Sequence, residues 1–262
     1  MLSVSKYLNE ESANKYNIEM YKSVKSTNTL LKKMAECGEA DGKVVIAEEQ
    51  TGGKGRMGRT FYSPGQTGLY MSVLLKPDIN CRDSLMITTC AAVAAAKAIE
   101  KVTGAETKIK WVNDIFFKNK KVCGILTEAA MEPDSGKLKY AVVGIGINMT
   151  EPQGGFSDDL KNTAGFLFER EGYCPEMKNM LTAEILNNLN DYCKDICDKR
   201  HIQEYKEKMF LLGRNVSVIS SGHDDIDNEI VEVLDMNDEA GLIVRTKRGT
   251  IRTLISGEVS IR

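Results

Sequence analysis

The chain has 262 residues, 42% hydrophobic and 27% charged, with 35 Lys and Arg against 37 Asp and Glu for a formal charge of −2. That is globular composition on a chain long enough to bury its own core, which excludes a disordered segment, a fibre and a chain-wide basic surface for nucleic acid. Seven cysteines form no CxxC pair and only His201 and His223 are present; no metal ligands are assigned, and an odd cysteine count with no secretory pattern in the first residues reads as reduced thiols in a cytoplasmic protein.

In chain order, Ser26-Thr27-Asn28 is a cluster of N-cap residues before LLKKMAEC and Gly38, the pattern of a helix with a glycine stop. KVVIAEEQ (43–50) and GLYMSVLLK (68–76) read as buried strands, and the Ala-rich run 84–103 as a helix stopped by Gly104. The most apolar part of that run, 85–99, is broken by Lys97 and falls short of the roughly twenty residues that a membrane span needs. Short strands follow at 106–112, 114–118, 121–129 and 139–148, joined by the turn-like KNK and EPDSGK. From Pro175 the apolar period becomes helical, through Met177, Leu181, Ile185, Leu189, Tyr192 and Ile196, with a second helix over about 201–212 ending at Gly213. The last fifty residues alternate as short strands around the turn signals SGHDD, NDEAG and KRG. The expected fold is α+β: a mixed sheet with flanking helices over 1–212, then a small C-terminal β-barrel domain over 213–262.

The stretch 50–60 places Lys54, Arg56 and Arg59 among four glycines, and no acid occurs between Gln50 and Pro77. Glycine lets backbone amides approach a ligand closely, and amides with cations suit phosphate. The stretch fits both a dinucleotide fingerprint and a P-loop with Arg for Lys. Each of those needs a helix to start at the loop's end. Here FYSPGQTG follows, and Pro64 biases Ser63 away from helix, so both fail and a flexible phosphate-binding loop survives. Lys110-Trp111-Val112-Asn113-Asp114, then Lys121 before Gly124-Ile125-Leu126, read alone as hairpin turns with a core tryptophan. Gly144-Ile145-Gly146-Ile147-Asn148 is a strand interrupted by glycine, where a bulge or a closely approaching ligand fits.

Together, in this order and spacing, Ser-Thr-Asn (26–28), GKGRMGR (53–59), KWVND (110–114), Lys121 before GIL and GIGIN (144–148) resemble the biotin protein ligases. The resemblance is strong over about 22–150 and weak beyond. It departs at Lys54, where the family usually has Arg and its bidentate fork, and at Val112, where the motif has Pro. Some members carry an N-terminal helix-turn-helix repressor domain. Only about twenty-five residues precede the Ser-Thr-Asn element here, so the expectation is a ligase without DNA binding.

The resemblance implies ATP-dependent biotinylation of a lysine on a biotin carboxyl carrier protein, through biotinyl-AMP, with ATP and Mg2+ as co-substrates. Ser26, Thr27, Asn28 and Gln50 would meet the biotin head group. Gly53, Lys54, Gly55 and Arg56 would line its tail and the adenylate phosphate. Lys121 and Arg56 would be catalytic, with Lys121 also on the biotin carboxylate. The nucleotide would meet Arg56, Arg59, Phe61, Lys110, Asn113, Asp114 and Asn148. Alternation along VCGIL puts Lys121 on the face opposite Gly124, with Lys118 and Lys120 in solvent. The rival readings are a lipoate or octanoate ligase, a non-catalytic regulator and a generic nucleotide-binding module. A homodimer is allowed by the apolar strands but not specified by them.

Overall fold

The structure is a computed structural model that describes residues 3–219 and 229–261; His223 and the expected SGHDD turn lie outside them. The short helix α1 (Glu10–Lys15) leads into β1 (Asn17–Val24), α2 (Thr27–Glu36), β2 (Lys43–Gln50), β3 (Gly68–Leu75) and α3 (Ser84–Thr103). Four strands follow: β4 (Lys108–Lys110), β5 (Asp114–Phe117), β6 (Lys120–Met131) and β7 (Leu138–Asn148). Helices α4 (Pro175–Cys193) and α5 (Arg200–Lys208) precede β8 (Asn215–Ile219), β9 (Ile230–Met236), β10 (Leu242–Arg245), β11 (Ile251–Leu254) and β12 (Glu258–Ile261). The first seven strands form one sheet in the order β1-β2-β3-β7-β6-β5-β4, antiparallel except for the parallel β1–β2 pair. The last five form an antiparallel sheet in the order β11-β10-β9-β8-β12, the expected C-terminal β unit.

The apolar alternation of the central strands feeds two cores. Val44 and Ile46 of β2 and Val143, Ile145 and Ile147 of β7 face α3, with α4 and α5 packed behind it. Val45, Leu74, Tyr140 and Val142 face the other way, against Leu31 and Ala35 of α2. Because α3 is buried nearly all round, a narrow apolar stripe would not serve it, which accounts for its run of alanines. Its chain leaves through Gly104 at φ 70°. Trp111 joins the two sheets: its indole Nε1–H donates to the Ala240 carbonyl at 2.9 Å. The Trp111–Val112 peptide is cis. Among the described residues no helix is long and apolar enough to cross a membrane.

The sequence reading omits α1 and β1. β1 is an edge strand whose alternating Ile18, Met20 and Val24 are interrupted by Lys22, and none of its residues is fully buried. It also runs the second helix to about 212, whereas α5 stops at Lys208 and Met209 bridges Ile109 beside β4.

Candidate active site

The α2-facing side of β3, β7 and β6 is the floor of a cavity of about 550 Å³. Two glycines of β7 make that floor usable. A Cβ on Gly144 would stand 2.1 Å from Asn28 Oδ1, and one on Gly146 would stand 2.5 Å from the Phe61 ring. Any side chain at either position would displace the group lying on it.

At the Gly144 end the N-terminus of α2 supplies the polar groups. Ser26 caps the helix, accepting from the Thr29 amide. The Thr27 amide donates to Gln50 Oε1 at 2.9 Å and the Thr27 hydroxyl lies 3.1 Å from the same oxygen. Gln50 Nε2 donates to Ser63 Oγ, which donates to the Phe61 carbonyl. Asn28 Nδ2 donates to the Leu126 carbonyl and to Glu128 Oε2, both at 3.1 Å.

The glycine-rich loop forms the lid. It turns back on itself through Gly55 N–H to Arg59 O and Phe61 N–H to Gly53 O, with a single 3-10 turn at Arg56–Gly58 and Met57 left-handed at φ 52°. No helix follows it. Phe61 lies across Gly124 and Gly146, edge-on to Tyr70. Two latches reach the second sheet. Arg56 donates to the Gly257 carbonyl at 2.9 Å and to Asn113 Oδ1 at 3.2 Å, and Arg59 pairs with Glu258 at 2.7 Å.

Lys121 Nζ stands 2.7 Å from Asp114 Oδ1 inside the cavity. The expected face of Lys121 is corrected by a bulge. Asp114 pairs with Gly124 and Ile115 with Cys123, but Phe116 pairs with Lys121, so Val122 is the extra residue and alternation breaks there. Lys121 therefore shares the Gly124 side, while Val122 and Cys123 both enter the core. Its backbone is held on one edge by the 163–165 segment, through Lys121 N–H to Thr163 O and Gly165 N–H to Lys121 O, each 2.8 Å. Lys120 stays partly exposed, and its ammonium donates to Asn162 O at 2.6 Å. Burial pulls the pKa of Lys110 and of Arg56 down, and Asp114 and Glu258 oppose that shift in both.

Of the expected residues, Ser26, Thr27, Asn28 and Gln50 line the polar end of this cavity, and Lys54, Gly55, Arg56, Arg59 and Phe61 its lid. Lys110, Asn113, Asp114 and Lys121 line the opposite wall. Gly53 and Asn148 do not line it. Gly53 packs beneath the loop, where a Cβ would meet Phe61 O at 2.4 Å, and Asn148 Nδ2 donates to Gly165 O, holding the turn before it. Residues absent from the sequence reading complete the wall: Leu160, Asn162 and Thr163 from an aperiodic segment, and Glu258 and Ser260 from β12. No local pattern marks them, because each reaches the cavity only through long-range contacts. Among the described residues no group of three or more His, Cys, Asp or Glu gathers as a metal site.

Residues 20–148 match the biotin/lipoate A/B protein ligase family model. The chain belongs to this family. The bifunctional ligase/repressor BirA of Bacillus spizizenii is 38% identical over 149 residues, which cover 57% of this chain and 45% of that protein. The chain thus matches less than half the length of that relative and of its Bacillus subtilis counterpart. The biotin–[acetyl-CoA-carboxylase] ligase of Mycobacterium tuberculosis is 27% identical over 77% of this chain and 74% of its own. The fold is similar to that of the biotin protein ligase from Aquifex aeolicus in complex with biotin and ATP, at a TM-score of 0.73 and 29% identity, covering 94% of this chain and 98% of that one. The family match ends with β7, so the second sheet lies outside it, with Gly257 and Glu258 that receive the two latches, whereas the Aquifex likeness spans both sheets.

Proposed function

We infer that this protein is an ATP-dependent biotin ligase, which activates biotin as biotinyl-AMP and transfers it to a lysine of a biotin carboxyl carrier protein. One observation carries the reading: a single cavity joins a polar end at Thr27 and Gln50 to a cationic wall and lid at Lys121, Arg56 and Lys110. Such a cavity suits a ligand with a polar head, an apolar tail along Phe61 and the β7 floor, and an anionic end. The similarity to the Aquifex enzyme bound to biotin and ATP supports the same assignment.

In the first step a biotin carboxylate oxygen attacks the α-phosphorus of ATP, the bond to pyrophosphate breaks, and biotinyl-AMP forms. The carboxylate is already ionised near neutral pH, so no general base is required. The barrier is the approach of two anions, which fixed cations lower. Lys121, held by Asp114 and by two backbone bonds to the 163–165 segment, is such a cation, and Arg56 on the lid is a second. Lys110, Asn113, Asp114 and Arg59 lie where the nucleotide would extend toward the second sheet. Mg2+ would enter on the triphosphate, with Asp114 the carboxylate available to it; one carboxylate with substrate phosphates is an ordinary Mg2+ arrangement. In the second step the carrier amine attacks the acyl carbon and AMP leaves. The lid shields the anhydride from water until then.

The test is ATP–pyrophosphate exchange. The expected outcome is exchange that requires biotin and Mg2+. Exchange driven equally by lipoate would move the assignment to the lipoate branch of the family, and none with biotin would overturn it.

A further inference from the structure

Ser72 belongs to none of the motifs and does not line the cavity, yet it lies directly behind its polar end, bonded to Thr27 and Asn28. It is fully buried in mid-β3, opposite Gly144, with its Oγ 2.7 Å from Thr27 Oγ1 and 2.6 Å from Asn28 Oδ1. A proton count sets the direction of these bonds. The Asn28 nitrogen faces a backbone carbonyl and a carboxylate oxygen, both acceptors, so the end of the amide that meets Ser72 is its oxygen. An amide oxygen has no proton to give, so the one hydroxyl proton of Ser72 goes to Asn28. Gln50 Oε1 is likewise fixed as an oxygen, since the Thr27 amide donates to it. The Thr27 hydroxyl then faces two acceptors, Ser72 Oγ and Gln50 Oε1, with a single proton. Whichever receives it, that proton points into the protein, and Thr27 Oγ1 offers the cavity lone pairs only.

We propose that Ser72 is a positioning residue of this network: as a second inward acceptor beside Gln50 it holds the Thr27 hydroxyl so that Thr27 stays a hydrogen-bond acceptor toward the substrate, and its own proton braces the Asn28 amide that Leu126 and Glu128 orient. The end of the cavity thereby selects a head group that carries N–H donors. This rests on the biotin reading: a ureido ring presents N–H groups, whereas the dithiolane ring of lipoate presents none. Site groups built to pair with such donors are left unpaired by a ligand that lacks them, and that loss discriminates far better than shape alone.

The test is biotin-dependent pyrophosphate exchange by wild type, Ser72→Ala, Thr27→Val and the double variant, with KM for biotin and for ATP measured separately. Each single change is expected to raise the biotin KM about tenfold, the effect of losing one such hydrogen bond, with kcat and the ATP KM within about twofold. The double variant is expected to remain near tenfold, because both changes break one network. A biotin KM for Ser72→Ala within about twofold of wild type overturns the proposal, as does a double variant near a hundredfold, which marks independent effects. Ser72→Cys, nearly isosteric with a weak S–H donor, replaces Ser72→Ala if that variant folds poorly, and is expected to give an intermediate KM; an unchanged KM overturns the proposal equally. Absence of biotin-dependent exchange in the wild type would overturn the ligase reading itself, and this inference with it, whereas wild-type activity with an unchanged Ser72 variant overturns this inference alone.

Discussion

Lys121 shows how one side chain acquires a role through its neighbours. Lys118, Lys120 and Lys121 share one turn, yet their surroundings differ. Lys118 is exposed over the Phe117 ring, Lys120 anchors the 160–163 turn through Asn162, and Lys121 enters the cavity to Asp114. Removing a fixed cation at a developing charge costs about 10²–10³ in rate by analogy with a lost oxyanion donor. Lys121→Ala is therefore expected to lose pyrophosphate exchange by that order. Asp114 is then left without its partner, so the melting temperature is measured alongside. Lys118→Ala is the suitable control and should exchange and melt as the wild type does. An exchange rate above about a third of wild type would mean that less than about 1 kcal/mol was removed, and Lys121 would not be the catalytic cation.

At the scale of elements, the helix layer holds a titratable group that the chemistry does not use. His201 of α5 is buried against α3, with its Nε2 3.1 Å from Thr89 Oγ1. The Thr89 hydroxyl donates to the Met86 carbonyl, so its oxygen is free to accept from the ring Nε2–H. Burial pushes the His201 pKa down to about 4, and Asp198 and Glu204 offset only part of that shift. The unfolded chain then binds the proton more tightly than the folded one. The stabilising contribution is present in full above pH ~6.5 and is lost as pH falls through about 4, a change of roughly 3 kcal/mol. Urea midpoints of the wild type should fall between pH 6.5 and 4, and His201→Gln should flatten that fall. Parallel slopes for the two proteins would show that other groups control acid sensitivity.

At the scale of the molecule, the two sheets behave as one body. Val216, Val218 and Val231 of the second sheet join the same buried cluster as α3, and Trp111 bridges to Ala240. Arg56 and Arg59 fasten the lid to residues 257 and 258. A contiguous core predicts cooperative unfolding. Trp111 is the only tryptophan and is buried at the junction, so its fluorescence reports the junction while far-ultraviolet circular dichroism reports the whole chain. The two urea transitions are expected to coincide. A fluorescence transition at clearly lower urea would show that the sheets separate before they unfold.

What the chain dictates by itself is local. Ser26 and Gly38 bound α2, the alanines and Gly104 set α3, period-two alternation marks the central strands, and Pro64 forbids a helix after the glycine-rich loop. The motifs place Thr27, Gln50, Arg56, Asn113, Asp114 and Lys121 as candidates, because capping, turn and close-approach chemistry act over a few residues, and the family resemblance supplies their roles. Tertiary structure decides the rest. β1 is held at the sheet edge by its parallel pairing with β2, since Lys22 interrupts its alternation and none of its residues is fully buried. The side to which Lys121 points depends on a bulge that exists only in the pairing of β5 with β6. Ser72, Glu128 and Glu258 join the site through bonds such as Ser72 to Asn28 and Arg59 to Glu258, across separations of 44 and 199 residues. Hydrogen-bond networks and register are properties of paired surfaces, and one strand read alone carries neither partner nor register.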